Sequence, residues 1–108
     1  MDETAYQHLA DAVFKRIERA LEDVDPSDVD VDFGGDVMTL TCRNGVRCVI
    51  NTQRPVRQMW VAAKATAWHF SYDEGNKRWH HDKNPNRELF QTLSEIVKEH
   101  AGIDVRFE

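Results

Sequence analysis

The hydrophobic period of the chain changes at Pro26, and that change constrains the fold more than any other feature. Upstream, from Thr4 to about Asp23, Tyr6, Leu9, Ala10, Val13, Ile17, Ala20 and Leu21 recur at spacings of three and four, the period of one helix face. Downstream, Val29, Val31 and Phe33 alternate with Asp28, Asp30 and Asp32, the period of a strand with one buried face. A 108-residue chain that makes this switch once predicts a single domain over residues 1–108, opened by a helix and continued by a sheet. Thr4 with Gln7 has the form of a capping box, and Asp2 caps equally well.

The period of two persists through the middle of the chain. Gly34-Gly35-Asp36 turns it, Met38, Leu40 and Cys42 share one face of the next strand, and Val46, Cys48 and Ile50 follow a turn at Arg43-Asn44-Gly45. A three-residue loop with Gly45 left-handed pairs Cys42 with Val46 and Leu40 with Cys48, whereas a two-residue loop mixes the faces. In the first register Cys42 and Cys48 are diagonal neighbours about 7–8 Å apart, too far for an unstrained disulfide, so buried reduced thiols are expected. Gln58–Ala63 predicts a fourth strand with Met59, Val61 and Ala63 inward, Ala67–Tyr72 a fifth and Lys77–His81 a sixth. Asn84-Pro85 reads as the start of a second helix with Leu89, Phe90, Leu93, Ile96, Val97 and Ala101 as its buried stripe and Gly102 as its stop. The expected fold is α+β, a two-layer sandwich with two helices on one face of an antiparallel sheet of about six strands. The other face is left open.

Charge is divided unevenly along this order. Residues 1–36 hold eleven acids against Lys15, Arg16 and Arg19, a net of −8, while the rest of the chain carries 11 bases and 8 acids. Nucleic acid is an improbable partner for so acidic an end, and cations or a basic protein surface fit it better. Apolar stretches are short and no charged segment leads into an apolar one at the start, which predicts a cytoplasmic, membrane-free protein. Glu18, Glu22, Asp23, Asp25, Asp28, Asp30 and Asp32 gather on one edge with no Lys or Arg interleaved after Arg19. Such crowding costs stability unless cations or a partner use it, and the plain alternative is a solvated acidic surface. Strand residues two apart lie about 6.5–7 Å from each other, so Asp28, Asp30 and Asp32 cannot share one ion. Binding should be weak, multiple and open to water, and hard oxygen donors admit iron, manganese, magnesium or calcium.

A second feature is the outward pair Gln58 and Trp60, next to Asn51, Gln53, Arg54 and Arg57. An exposed Trp on an open sheet offers a large area to bury at little entropic cost, unless neighbouring side chains cover it. The five histidines form no HExxH pair or nucleophile dyad and read by default as surface or edge residues; His8 could supplement the acidic edge, and the sequence leaves open whether His80 or His81 join a metal site. Signatures of hydrolases, P-loops and dinucleotide-binding folds are missing, so an enzyme is not expected, and weak ferroxidase activity ranks third among the readings.

The run from Asn51 to Ala62, with its N-x-Q-x-P-x-x-Q-x-W pattern behind an acidic helix and an Asp-rich strand, closely resembles the frataxin family, in particular its bacterial members. Leu9-Ala10-Asp11, Gly34-Gly35, Asn44-Gly45, His69-Phe70 and Trp79 share the resemblance, which covers nearly the whole chain. It implies the frataxin sandwich, weak binding of ferrous and ferric iron at several places on the acidic ridge, and action in iron–sulfur cluster assembly. The partners it implies are a cysteine desulfurase and its scaffold protein, with the chain acting as a monomer, either as an iron-dependent regulator or as an iron donor. The ridge positions carried over are Glu18, Glu22, Asp23, Asp25, Asp28, Asp30 and Asp32; Asn51, Gln53, Gln58 and Trp60 match the family's sheet-face motif. Lys15 and Arg19 depart from a more uniformly acidic helix and reduce the number of ions expected there. The competing reading is an acidic adaptor that docks on a basic partner without metal.

Overall fold

The computed structural model describes residues 1–107. Helix α1 spans Glu3–Leu21, followed by strands β1 (Val29–Gly34), β2 (Val37–Cys42) and β3 (Arg47–Gln53), a 3-10 turn at Arg54–Val56, β4 (Gln58–Ala63), β5 (Thr66–Asp73), β6 (Arg78–His81), β7 (Asn84–Glu88) and helix α2 (Leu89–Ala101). The strands form one antiparallel meander in chain order from β1 to β7. Asp2, not Thr4, caps α1: its Oδ1 accepts the Ala5 N–H at 2.7 Å.

Both helices bury their apolar stripes against the same sheet face. Tyr6, Ala10, Val13, Phe14, Ile17 and Leu21 of α1 meet Met38, Leu40, Ile50, Met59, Val61 and Phe70 of the sheet, and α2 adds Leu89, Phe90, Leu93, Ile96, Val97 and Ala101. A fully buried side chain such as Ile17 or Leu93 contributes about 1.5–3 kcal/mol through the area it removes from water. The chain after α2 closes over the same core, with Phe107 buried and Ser94 Oγ donating to the Val105 carbonyl at 2.8 Å.

The β2–β3 hairpin has the expected register. Leu40 faces Cys48, Gly45 holds a φ of 91°, and the Cys42 N–H donates to the Val46 carbonyl at 2.9 Å. Both cysteines are buried free thiols. The strand count differs from expectation because residues 84–88 form β7 at the sheet's far edge instead of opening α2. Pro85 lacks an N–H to give a ladder, which an edge strand tolerates, and Asn84 Oδ1 accepts the Asn86 N–H in a local turn. The cap of α2 is Glu88, whose carboxylate accepts the Gln91 N–H at 2.9 Å. Gly102 ends the helix in the left-handed conformation, φ 72°.

Candidate functional site

Edge strand β1 and the C-terminal half of α1 make the acidic edge. Glu18, Glu22, Asp30 and Asp32 line one shallow depression of about 560 Å³, floored by Leu21, Val29, Val31 and Phe33. All four carboxylates are exposed, and Asp23 is exposed close by in the chain. Phe33 is 40% exposed yet packs on Phe14 with ring centroids 4.7 Å apart, so the apolar face of β1 opens toward solvent along the strand. The remaining two acids are engaged elsewhere. Asp25 Oδ1 accepts both the N–H and the hydroxyl of Ser27, and those bonds hold its carboxyl below the usual carboxylate range.

Asp28 is paired with Arg43, which reaches in from the β2–β3 turn. Sequence spacing sees no cation in the ridge after Arg19; strand pairing supplies one, because Val29 opposes Cys42 and the next residues outward are Asp28 and Arg43. Lys15 and Arg19 do not interrupt the acidic depression. They line a separate cavity on another flank of α1, so the helix carries acid on one side and base on another. His8 is exposed and does not line the acidic depression.

The donor chemistry of the depression suits hard, hydrated cations. Among the described residues no three His, Cys, Asp or Glu side chains form a cluster able to enclose a metal ion. Exposed carboxylates spread over a helix and a strand offer one or two ligands at a time, with water completing the shell.

The four sheet-face residues are brought together. Asn51 opposes Trp60 and Gln53 opposes Gln58 across β3 and β4, so they form a two-by-two block on the open face. The block continues into β5, where Trp60 opposes His69 and Gln58 opposes Ser71. The Trp60 and His69 rings stack with centroids 4.0 Å apart and planes 12° from parallel. Trp60 Nε1 donates to Gln58 Oε1 at 2.9 Å, and Gln58 Nε2 donates to Ser71 Oγ at 3.1 Å. From beneath, the buried Tyr6 hydroxyl donates to the Gln58 carbonyl at 2.7 Å and accepts the Gln53 N–H at 3.2 Å. Helix α1 thereby pins both strands where they flank the 3-10 turn, and burial pushes the Tyr6 phenol up from its ordinary value.

His69 and Ser71 are members of this surface that sequence reasoning passed over. Their signal was available in the period of two of β5, once the β4–β5 register is known.

With this geometry in hand, comparison with known proteins places the class first. A family model described as a frataxin-like domain matches residues 1–103. The frataxin from Psychromonas ingrahamii, studied as a model of stability modulation within the CyaY protein family, superposes with a TM-score of 0.89 at 30% identity over 100% of this chain and 99% of that one. A trimeric frataxin from Saccharomyces cerevisiae, solved complexed with ferrous iron, aligns with a TM-score of 0.60 at 27% identity over 95% of this chain and 88% of that one. Two relatives bear the name iron-sulfur cluster assembly protein CyaY: one from Pseudomonas aeruginosa, 37% identical over 99% of this chain and 97% of its own length, and one from Paraburkholderia xenovorans, 37% identical over 100% of this chain and 99% of its own length. The chain belongs to the frataxin family, in its bacterial CyaY form. Among the described residues no helix is long and apolar enough to cross a membrane.

Proposed function

We propose that this protein acts in iron–sulfur cluster assembly as an iron-responsive regulator of a cysteine desulfurase and its scaffold protein, able also to hand on iron as cargo. The observation that carries the reading is the convergence of Glu18, Glu22, Asp30 and Asp32 on one open depression in a chain whose CyaY relatives are named for cluster assembly. These carboxylates hold ferrous or ferric iron weakly, as a partly hydrated ion that exchanges readily. The same field draws a basic surface of the desulfurase toward the edge, so bound iron changes the charge the partner meets. Asn51, Gln53, Gln58 and Trp60 give a second, neutral surface on the open sheet, where a flat aromatic anchor with satisfied polar neighbours suits a stable protein contact. The protein works by binding, as a cytoplasmic monomer, without a catalytic step of its own.

The test is to titrate ferrous iron and the desulfurase separately into the variant E18Q/E22Q/D30N/D32N. Loss of both interactions supports the reading, and unchanged binding of both defeats it.

A second reading, the metal-independent acidic adaptor, is favoured by the spacing of the carboxylates within that depression, since among the described residues no three His, Cys, Asp or Glu side chains are placed to hold one metal ion together. Control of cluster assembly that persists unchanged in iron-free buffer decides for it.

A further inference from the structure

The flank of α1 turned away from the acidic depression borders a cavity of about 490 Å³ between that helix, the β5–β6 turn and the start of α2. Five cationic side chains line it, Lys15, Arg16 and Arg19 from the helix and Lys77 and Arg78 from the turn, against a single carboxylate, Glu88. Glu88 is buried and holds the Gln91 N–H as the cap of α2, which fixes it in place. Among the described residues, none of Lys15, Arg19 and Lys77 has a carboxylate within ion-pair distance. The Arg16 guanidinium lies 5.5 Å from the centre of the Phe90 ring, and the cavity wall is stiffened by Trp79, packed edge-on against Tyr72 at 5.2 Å and Tyr6 at 6.4 Å.

Like charges gathered in this way repel one another unless an anion joins them. In a protein of net charge −5 such a local excess of base is not explained by overall composition. The cations enter from two walls, which matches a group with oxygen acceptors on every side better than a planar carboxylate. The space exceeds what one inorganic phosphate needs and falls in the range of small-molecule sites, about 300–1,000 Å³. We propose that this cavity binds a small molecule carrying two or more linked phosphate groups, held by Lys15, Arg16, Arg19, Lys77 and Arg78. The site is separate from the acidic edge, so the two surfaces of α1 attract ligands of opposite sign.

The experiment is calorimetric titration of tripolyphosphate, and separately of inorganic phosphate, into the full chain in metal-depleted, chelator-free buffer. Tripolyphosphate is expected to saturate one site and to bind at least tenfold more tightly than inorganic phosphate. The variant K15Q/R19Q/K77Q, whose substitutions are all on exposed residues, should weaken tripolyphosphate at least tenfold with an unchanged melting temperature, while E22Q leaves it unchanged. No saturable binding by the native chain, equal affinity for the two anions, or equal affinity in the triple variant overturns the proposal. Should the triple variant melt earlier, chemical-shift mapping on the native chain decides: saturable shifts centred on residues 15–19 and 77–78 support the site, and their absence overturns it.

Discussion

The acidic edge and the open-sheet block are built on opposite physical terms. At the edge, Glu18, Glu22, Asp30 and Asp32 are exposed like charges that, among the described residues, no hydrogen-bond or ion-pair partner holds in place. On the sheet, Trp60 is stacked on His69 and bonded to Gln58, which is bonded in turn to Ser71, while Tyr6 anchors the backbone below. As binding surfaces, the edge would act through charge at long range and tolerate many geometries, whereas the block would act through shape at contact. The first should be sensitive to salt and the second nearly indifferent to it.

Breaking the block should have the largest effect. Trp60→Ala is expected to weaken a partner bound on the sheet by about 2 kcal/mol or more, roughly 30-fold, with little change at 0.5 M salt; calorimetry with the scaffold protein at two salt concentrations checks both parts. Tyr6→Phe comes next. It withdraws the hydroxyl from the Gln53 N–H and the Gln58 carbonyl and should cost about 1–3 kcal/mol of stability by urea denaturation, leaving iron binding at the edge intact.

Alkali should loosen the core beneath the block before it touches the edge. Burial, with the neighbouring Cys42 adding to it, pushes the Cys48 thiol from 9.0 up to about 12, and Tyr6 is raised by the same cause. Both groups hold their protons more firmly folded than unfolded, so the stability they contribute is complete below pH 9 and is lost as pH rises toward 12. Denaturation midpoints should fall between pH 9 and 11, and Cys48→Val, which keeps an apolar side chain in the core, should flatten that fall. The smallest effect belongs to the edge itself. Neutralising Asp30 and Asp32 together is expected to change the folded chain's stability by no more than about 0.5 kcal/mol, in the stabilising direction and only at low salt, as read from melting temperatures at 20 and 500 mM salt.

The same contrast explains what was legible in the sequence. Periodicity exposed both helices' stripes and the open face of β4, and Gly45 revealed the β2–β3 register because a left-handed position has few occupants. Local signals misled at Asn84-Pro85, since a good cap followed by Pro also fits an edge strand, and only pairing with β6 distinguishes the two. Asp28 looked free because its cation, Arg43, is a neighbour across a hairpin instead of along a helix. The place of His69 in the sheet-face block was hidden for a related reason: its partner Trp60 lies one strand away, and stacking is a property of register. The basic side of α1 was read as a flaw in the ridge because a linear pattern does not say which flank of a helix meets which neighbour.

The central claim is that the acidic edge couples iron to control of cluster assembly. The most direct measurement is the rate of cluster formation by desulfurase and scaffold, followed with and without added ferrous iron, in the presence of the native chain or of E18Q/E22Q/D30N/D32N. The native chain should change the rate in proportion to iron, and the variant should leave it near the rate of desulfurase and scaffold alone. An iron-dependent effect of the same size with the variant would contradict the account.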